Sequence, residues 1–220
     1  MILPSIGAML YFVICSGTVL GRTFYIATKA FTLAWPIVAI LAVERQAITL
    51  KLRNAARHFR AIPLGLLSGA VIAGFMIAMY KWSPMGDYVR ANRGAVRGKI
   101  AELGLLDPPV YVAFGVFIAL FHSLLEEYFW RWYVFGRLSQ VVALPPAYVL
   151  ASLAFAGHHY VVLATYSPAW MVALFGTCVG IGGGFWCWLF RRQQSLVGAW
   201  VSHLLVDVAI LCVGYELVFL

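Results

Sequence analysis

The sequence predicts an all-α protein, a polytopic transmembrane helix bundle of about seven spans. Three observations carry that reading. Hydrophobic residues make up 63% of the 220 residues and charged residues only 11%, against roughly 45–50% and about 25% in an ordinary soluble domain. Mean hydropathy is +0.89, more apolar surface than a 24.3 kDa soluble fold could hide. The apolar residues also fall in runs of helix-spanning length rather than in the short alternating runs of strands. Lys and Arg number 16 against 8 Asp and Glu, a net charge of +8. In such a chain that excess belongs to the flanks of the spans, so nucleic acid is not an expected partner and the lipid bilayer is.

Taken in order, the expected spans are 2–20, 24–43, 61–80, 109–138, 141–166, 168–190 and 195–220. The first has no basic leader and no small-residue cleavage site, and reads as a span rather than a removed signal peptide. The fourth would be a helix of about 45 Å, long enough to tilt or protrude. Between the second and third spans, 44–60 reads as a basic amphipathic helix lying at the interface. Ile48, Leu52, Ala55 and Phe59 share one face and Arg53, Arg57 and Arg60 the other. A second basic connector, 81–104, carries Arg90, Arg93, Arg97 and Lys99. The Lys/Arg count places the 44–60 side in the cytoplasm. In the sixth span Gly176, Gly180 and Gly184 recur every four residues, a face for close helix packing. Cys15, Cys178, Cys187 and Cys212 sit in apolar runs without CxxC spacing and read as packing residues. The chain divides into N-terminal spans and connectors, 1–108, and a four-span core, 109–220, within one integral-membrane domain.

The charges inside that core point to chemistry. Ionisable groups in hydrocarbon cost several kcal/mol each unless paired or hydrated, and mark function by default. The fourth span reads His122-Ser-Leu-Leu-Glu126-Glu127-Tyr-Phe-Trp-Arg131, the fifth Phe155-Ala-Gly-His158-His159, and the seventh His203-Leu-Leu-Val-Asp207. Lys29 is the one other deeply placed charge. Glu127 and Arg131 stand four apart on one helix face and pair. Glu126, turned by about 100°, is left to face a cavity together with His122. A turn near Ala143 puts Glu126 and His159 at nearly equal depth in an antiparallel hairpin. His203 and Asp207 lie on the same side of the membrane, one turn apart on one face. His158 is turned away from His159 and reads as an interhelical hydrogen-bonding group, secondary to it, as is His122.

A carboxylate beside imidazoles can take a proton from water and direct the hydroxide at a carbonyl, while another imidazole stabilises the oxyanion. That suits amide hydrolysis in or near the bilayer. The signatures of other proteases are missing: no HExxH and no GxSxG. Asp, His and Glu together also suit a metal, and zinc is the alternative, disfavoured because no short two-His ligand spacing is present. A proton-coupled transporter would use buried Glu and His too, but the internal repeats expected of one are absent from the sequence.

Glu126-Glu127-Tyr-Phe-Trp-Arg131 is similar to an EExxxR motif, Phe155-Ala-Gly-His158-His159 to FxxxH and His203-Leu-Leu-Val-Asp207 to HxxxN/D. In this order the chain resembles the CPBP family (CAAX protease and bacteriocin-processing, or Abi), which includes the type II CAAX prenyl endopeptidases. The resemblance covers about 120–210. It implies a glutamate-dependent intramembrane endopeptidase in a cell membrane of prokaryotic type, its site opening toward the cytoplasm. The substrate would be a membrane-anchored protein or peptide cut near its C-terminal end, with no cofactor. By motif position, Glu126 activates water with His159, His203 and Asp207 line the oxyanion side, and Glu127 and Arg131 hold the helix. Two positions depart from the family pattern. Trp132 stands where Gly is common, and position 207 is Asp rather than Asn. An ionised Asp cannot donate to an oxyanion, so Asp207 more readily accepts from His203, which then donates. The alternative within the family is a non-proteolytic peptide- or partner-binding protein, as in bacteriocin immunity.

Overall fold

The computed structural model describes residues 1–45 and 55–220, and among these every regular element is a helix. In chain order they are α1 (Leu3–Met9), α2 (Val19–Val38), α3 (Ala55–Trp82), α4 (Met85–Ala91), α5 (Arg93–Glu102), α6 (Pro108–Phe117), α7 (Ser123–Glu127), α8 (Gly136–Val141), α9 (Leu144–Tyr166), α10 (Ala169–Gln193) and α11 (Leu196–Phe219). Four π-helical stretches, Leu10–Ile14, Ala39–Val43, Ile118–His122 and Tyr128–Phe135, continue or join them. Six of the resulting helices are long and apolar enough to cross a membrane: Val19–Val43, Ala55–Trp82, Pro108–Val141, Leu144–Tyr166, Ala169–Gln193 and Leu196–Phe219. The expected count of about seven roughly fits these six; the first expected span, 2–20, holds only the shorter apolar helix Leu3–Ile14, which at about 18 Å is too short to cross a hydrocarbon core of about 30 Å. Most of the 44–60 connector lies outside the described residues, and its last residues form the first turn of α3.

The boundaries have local causes. Thr18 caps α2 by accepting from the Gly21 N–H at 3.0 Å, and Asp107 caps α6 by accepting from the Val110 N–H at 3.1 Å, ahead of Pro108 and Pro109. The hairpin turn falls at 142–143, where Pro145 and Pro146 open α9. Gln194, in the left-handed conformation, ends α10.

The chain forms two compact units. The first comprises Met1–Arg57 and Leu125–Leu196, the second His58–Leu124 and Val197–Leu220. In the first, α9 and α10 pack face to face. A Cβ on Gly183 would lie 2.8 Å from the Phe155 ring, while Gly180 faces Ala156 and Gly184 faces Ser152, so small residues let the two backbones close up. Phe135, Ala147, Ala151 and Cys187 form a buried core at the hairpin end. In the second unit α3 and α11 pack equally closely. A Cβ on Gly65 would sit 2.6 Å from the backbone oxygen of Gly198, and the Ser68 hydroxyl is 3.2 Å from that of Ser202. Glu216 pairs with Lys81 and accepts from the Tyr80 hydroxyl at 3.1 Å. Arg90 stacks over the Tyr80 ring while pairing with Asp87.

The Gly65 contact is backbone to backbone, so no rotamer can relieve it. Gly65→Ala is expected to lower stability by about 1–3 kcal/mol, read as a lower melting temperature in detergent. Ala substituted at Gly94, where a Cβ meets nothing within 4 Å, is the control that should leave melting unchanged.

Candidate active site

The fourth span supplies two carboxylates on adjacent residues, and the first unit treats them differently. Glu127 is fully buried, with Oε1 3.2 Å from Nη1 of Arg131, itself fully buried. The guanidinium lies 4.2 Å from the centre of the Phe155 ring and 5.0 Å from that of Trp186. A buried charge is tolerable only when paired and packed in this way, and ring faces supply the remaining attraction. The residues from α9 and α10 that clamp the guanidinium explain why an aromatic opens the Phe155-to-His159 motif.

Glu126, also buried, takes the neighbouring face. His158 Nε2 lies 3.2 Å from Glu126 Oε1. A carboxylate only accepts, so His158 Nε2 carries the hydrogen and donates. The His158 ring stacks on Trp130, centroids 5.7 Å apart and planes 2° apart, which fixes its orientation. His159 lies beside it, ring centroids 4.0 Å apart. His159 Nδ1 is 3.0 Å from the Phe155 carbonyl. By the same logic Nδ1–H donates there, and in the neutral form of the ring Nε2 is then the acceptor. Glu126, His158 and His159 each offer an atom within 4.8 Å of the others, a grouping that could hold a metal ion.

His203, Asp207 and His122 belong to the second unit. His203 is buried, with Nε2 3.6 Å from Asp207 Oδ1 one turn on, and its neighbour Ser202 meets α3 through Ser68. His122, half-buried, ends the π-helical stretch that precedes α7. Trp132, at the position where the family resemblance breaks, stacks on Tyr128, centroids 5.2 Å apart.

Sequence reasoning did not connect the first 45 residues to this site, and the structure does. Tyr25 and Lys29, one turn apart on α2, both lie within electrostatic reach of Glu126. The signal was present as Lys29, a charge inside an apolar span.

Residues 108–209 match the family described as type II CAAX prenyl endopeptidase Rce1-like. No curated protein and no solved structure matches the chain.

Proposed function

We propose that this chain, whose residues 108–209 match the Rce1-like family of type II CAAX prenyl endopeptidases, is a multi-pass intramembrane endopeptidase with Glu126 as its general base. The observation that supports the reading most is the cluster of buried Glu126 with half-buried His158 and His159, in a protein with six membrane-length helices. Glu126 and His159 each bring a ligand atom within 4.8 Å of the other, a spacing one water can bridge by donating a hydrogen to each at about 2.8 Å. Glu126 takes the proton as the water oxygen attacks the scissile carbonyl, and returns it to the leaving amine as the tetrahedral intermediate collapses. His158 donates to Glu126 throughout and keeps its carboxylate aimed. Glu127 and Arg131 hold the helix beneath it.

His203 and Asp207 enter this reading from motif order and depth in the sequence. His203 donates to the oxyanion, and Asp207, accepting from His203, holds the imidazole in position. Asp207→Asn removes the carboxylate but keeps a polar group of the same shape with an N–H of its own. Activity is expected to survive at a reduced level. Asp207→Ala removes both and is expected to cost on the order of 10²–10³ in rate. The comparison is kcat for the three proteins on one peptide. An Asn variant as inactive as the Ala variant would show that position 207 requires a carboxylate.

The substrate in this reading is a membrane-anchored protein or peptide cut near its C-terminal end, reached from the cytoplasmic side of a prokaryotic cell membrane. The hydrolysis needs no metal. Chelators are expected to leave the rate unchanged, and elemental analysis of the purified protein to find no stoichiometric zinc. About one zinc per chain, lost on His159→Ala, would transfer the chemistry to a metal-bound water instead.

A further inference from the structure

We propose that Lys29, Tyr25 and Tyr11 form a subsite for the free α-carboxylate at the end of the peptide being cut. The inference rests on the endopeptidase reading and names the chemical feature by which that site would choose its substrate. None of the three residues lies in the segment 108–209 that matches the family.

The placement follows from helix register within the first unit. Leu33 accepts a hydrogen bond from the Tyr128 hydroxyl at 3.1 Å, Phe31 packs against Phe129, and Glu44 pairs with Arg137 at 2.8 Å. Residues 31–33 meet 128–129 and residue 44 meets 137, so α2 and its continuation run parallel to the second half of the fourth span. Lys29, one turn before Leu33, therefore stands at the level of the Glu126 turn, and Tyr25 one turn beyond it. The two share a face, with the Lys29 ammonium 5.5 Å from the centre of the Tyr25 ring. Tyr11, from the short N-terminal helix, packs against Tyr25 with ring centroids 4.9 Å apart. That helix is held against α9 where Ser5 meets Gly157, the residue before His158.

The chemistry of this wall is one-sided. It offers an ammonium with three donors and two phenols that donate readily, and no carboxylate of its own. Such a set favours an anionic acceptor. A peptidase cutting near a C-terminus inside a bilayer must bring the terminal carboxylate out of water, which is costly unless a cation meets it. One ammonium can serve both Glu126 and a second carboxylate through separate N–H groups. An internal peptide segment has no such charge, so the same contact discriminates chain ends from chain middles.

The test uses one short dansylated apolar peptide in two forms, free acid and C-terminal amide. Binding is measured by fluorescence anisotropy to the full-length Glu126→Gln protein in nanodiscs. The acid is expected to bind about tenfold more tightly than the amide, the usual size of one charge-assisted contact. Adding Lys29→Met should weaken the acid alone and close that gap, Lys29→Arg should keep most of it, and Tyr25→Phe should narrow it. Equal affinity of acid and amide, including no measurable binding of either, overturns the subsite, as does a gap that persists in Lys29→Met. A hydrolysis assay on the same peptides separates the two ideas. Cleavage by the wild type with no acid–amide gap sinks the subsite and keeps the peptidase. A binding gap without any cleavage sinks the peptidase and keeps the subsite.

Discussion

Glu126→Gln is expected to abolish peptide hydrolysis while leaving helicity and melting temperature as in the wild type. Gln has the shape of Glu and still accepts from His158 Nε2 at 3.2 Å, so the helix contact survives. It cannot take a proton from water. Loss of a positioned general base costs on the order of 10²–10⁴ in rate, and in the proposed mechanism the same carboxyl is also the acid for the leaving amine, which puts the loss at the upper end. The measurements are kcat on a cleavable peptide and a thermal melt in detergent, made on the same preparation. Retained activity would remove Glu126 from the reaction.

Glu127→Gln should give the opposite pattern, a fold failure with activity loss only as its consequence. Arg131 is fully buried and its charge is balanced by Glu127 at 3.2 Å. Removing one partner of a buried pair costs about 3–5 kcal/mol, because the other charge stays behind in a low-dielectric site. The double variant Glu127→Gln with Arg131→Met should recover much of that loss, since an apolar side chain between Phe155 and Trp186 leaves no charge to solvate. Melting temperatures of the three variants decide it. A Glu127→Gln protein that melts like the wild type but does not cleave would put Glu127 in the chemistry.

The helical membrane architecture was legible from the sequence because long apolar runs leave few alternatives, and the turn before Pro145 because proline marks helix starts. The first segment was legible only as apolar. That Leu3–Ile14 stops short of a span depends on the Thr18 cap and the bend before it, and a run of apolar letters on both sides hides such a break. The division between Glu126 and Glu127 followed from a four-residue spacing to Arg131. That His158 donates to the Glu126 oxygen did not. Adjacent residues on a helix differ by about 100°, so which of the two histidines meets the fourth span depends on how α9 is rotated, and that is fixed between helices, where Trp130 stacks on the His158 ring. Lys29 stood out as a charge inside an apolar span, but its nearness to Glu126, and that of Tyr25, was not legible because nothing local to α2 fixes its register. Contacts far along the chain do, at Tyr128, Phe129 and Arg137.

The π-helical stretch Tyr128–Phe135 follows directly on Glu127. A π turn closes its hydrogen bond one residue later than an α turn, so each widened turn stores an additional residue without lengthening the path between its ends in proportion. Deleting a single residue there need not break the helix, because the turn can tighten to α. The turns on either side would then keep their phase, so the two glutamates would stay aimed as they are relative to Arg137, the residue anchored to Glu44 beyond the stretch. In a plain α-helix the same deletion would turn them by about 100°. The spare residue is thus slack between the glutamates and the anchored end of the helix. When homologous chains are aligned, a one-residue gap here should be read as loss of the widened turn, with the direction of Glu126 preserved.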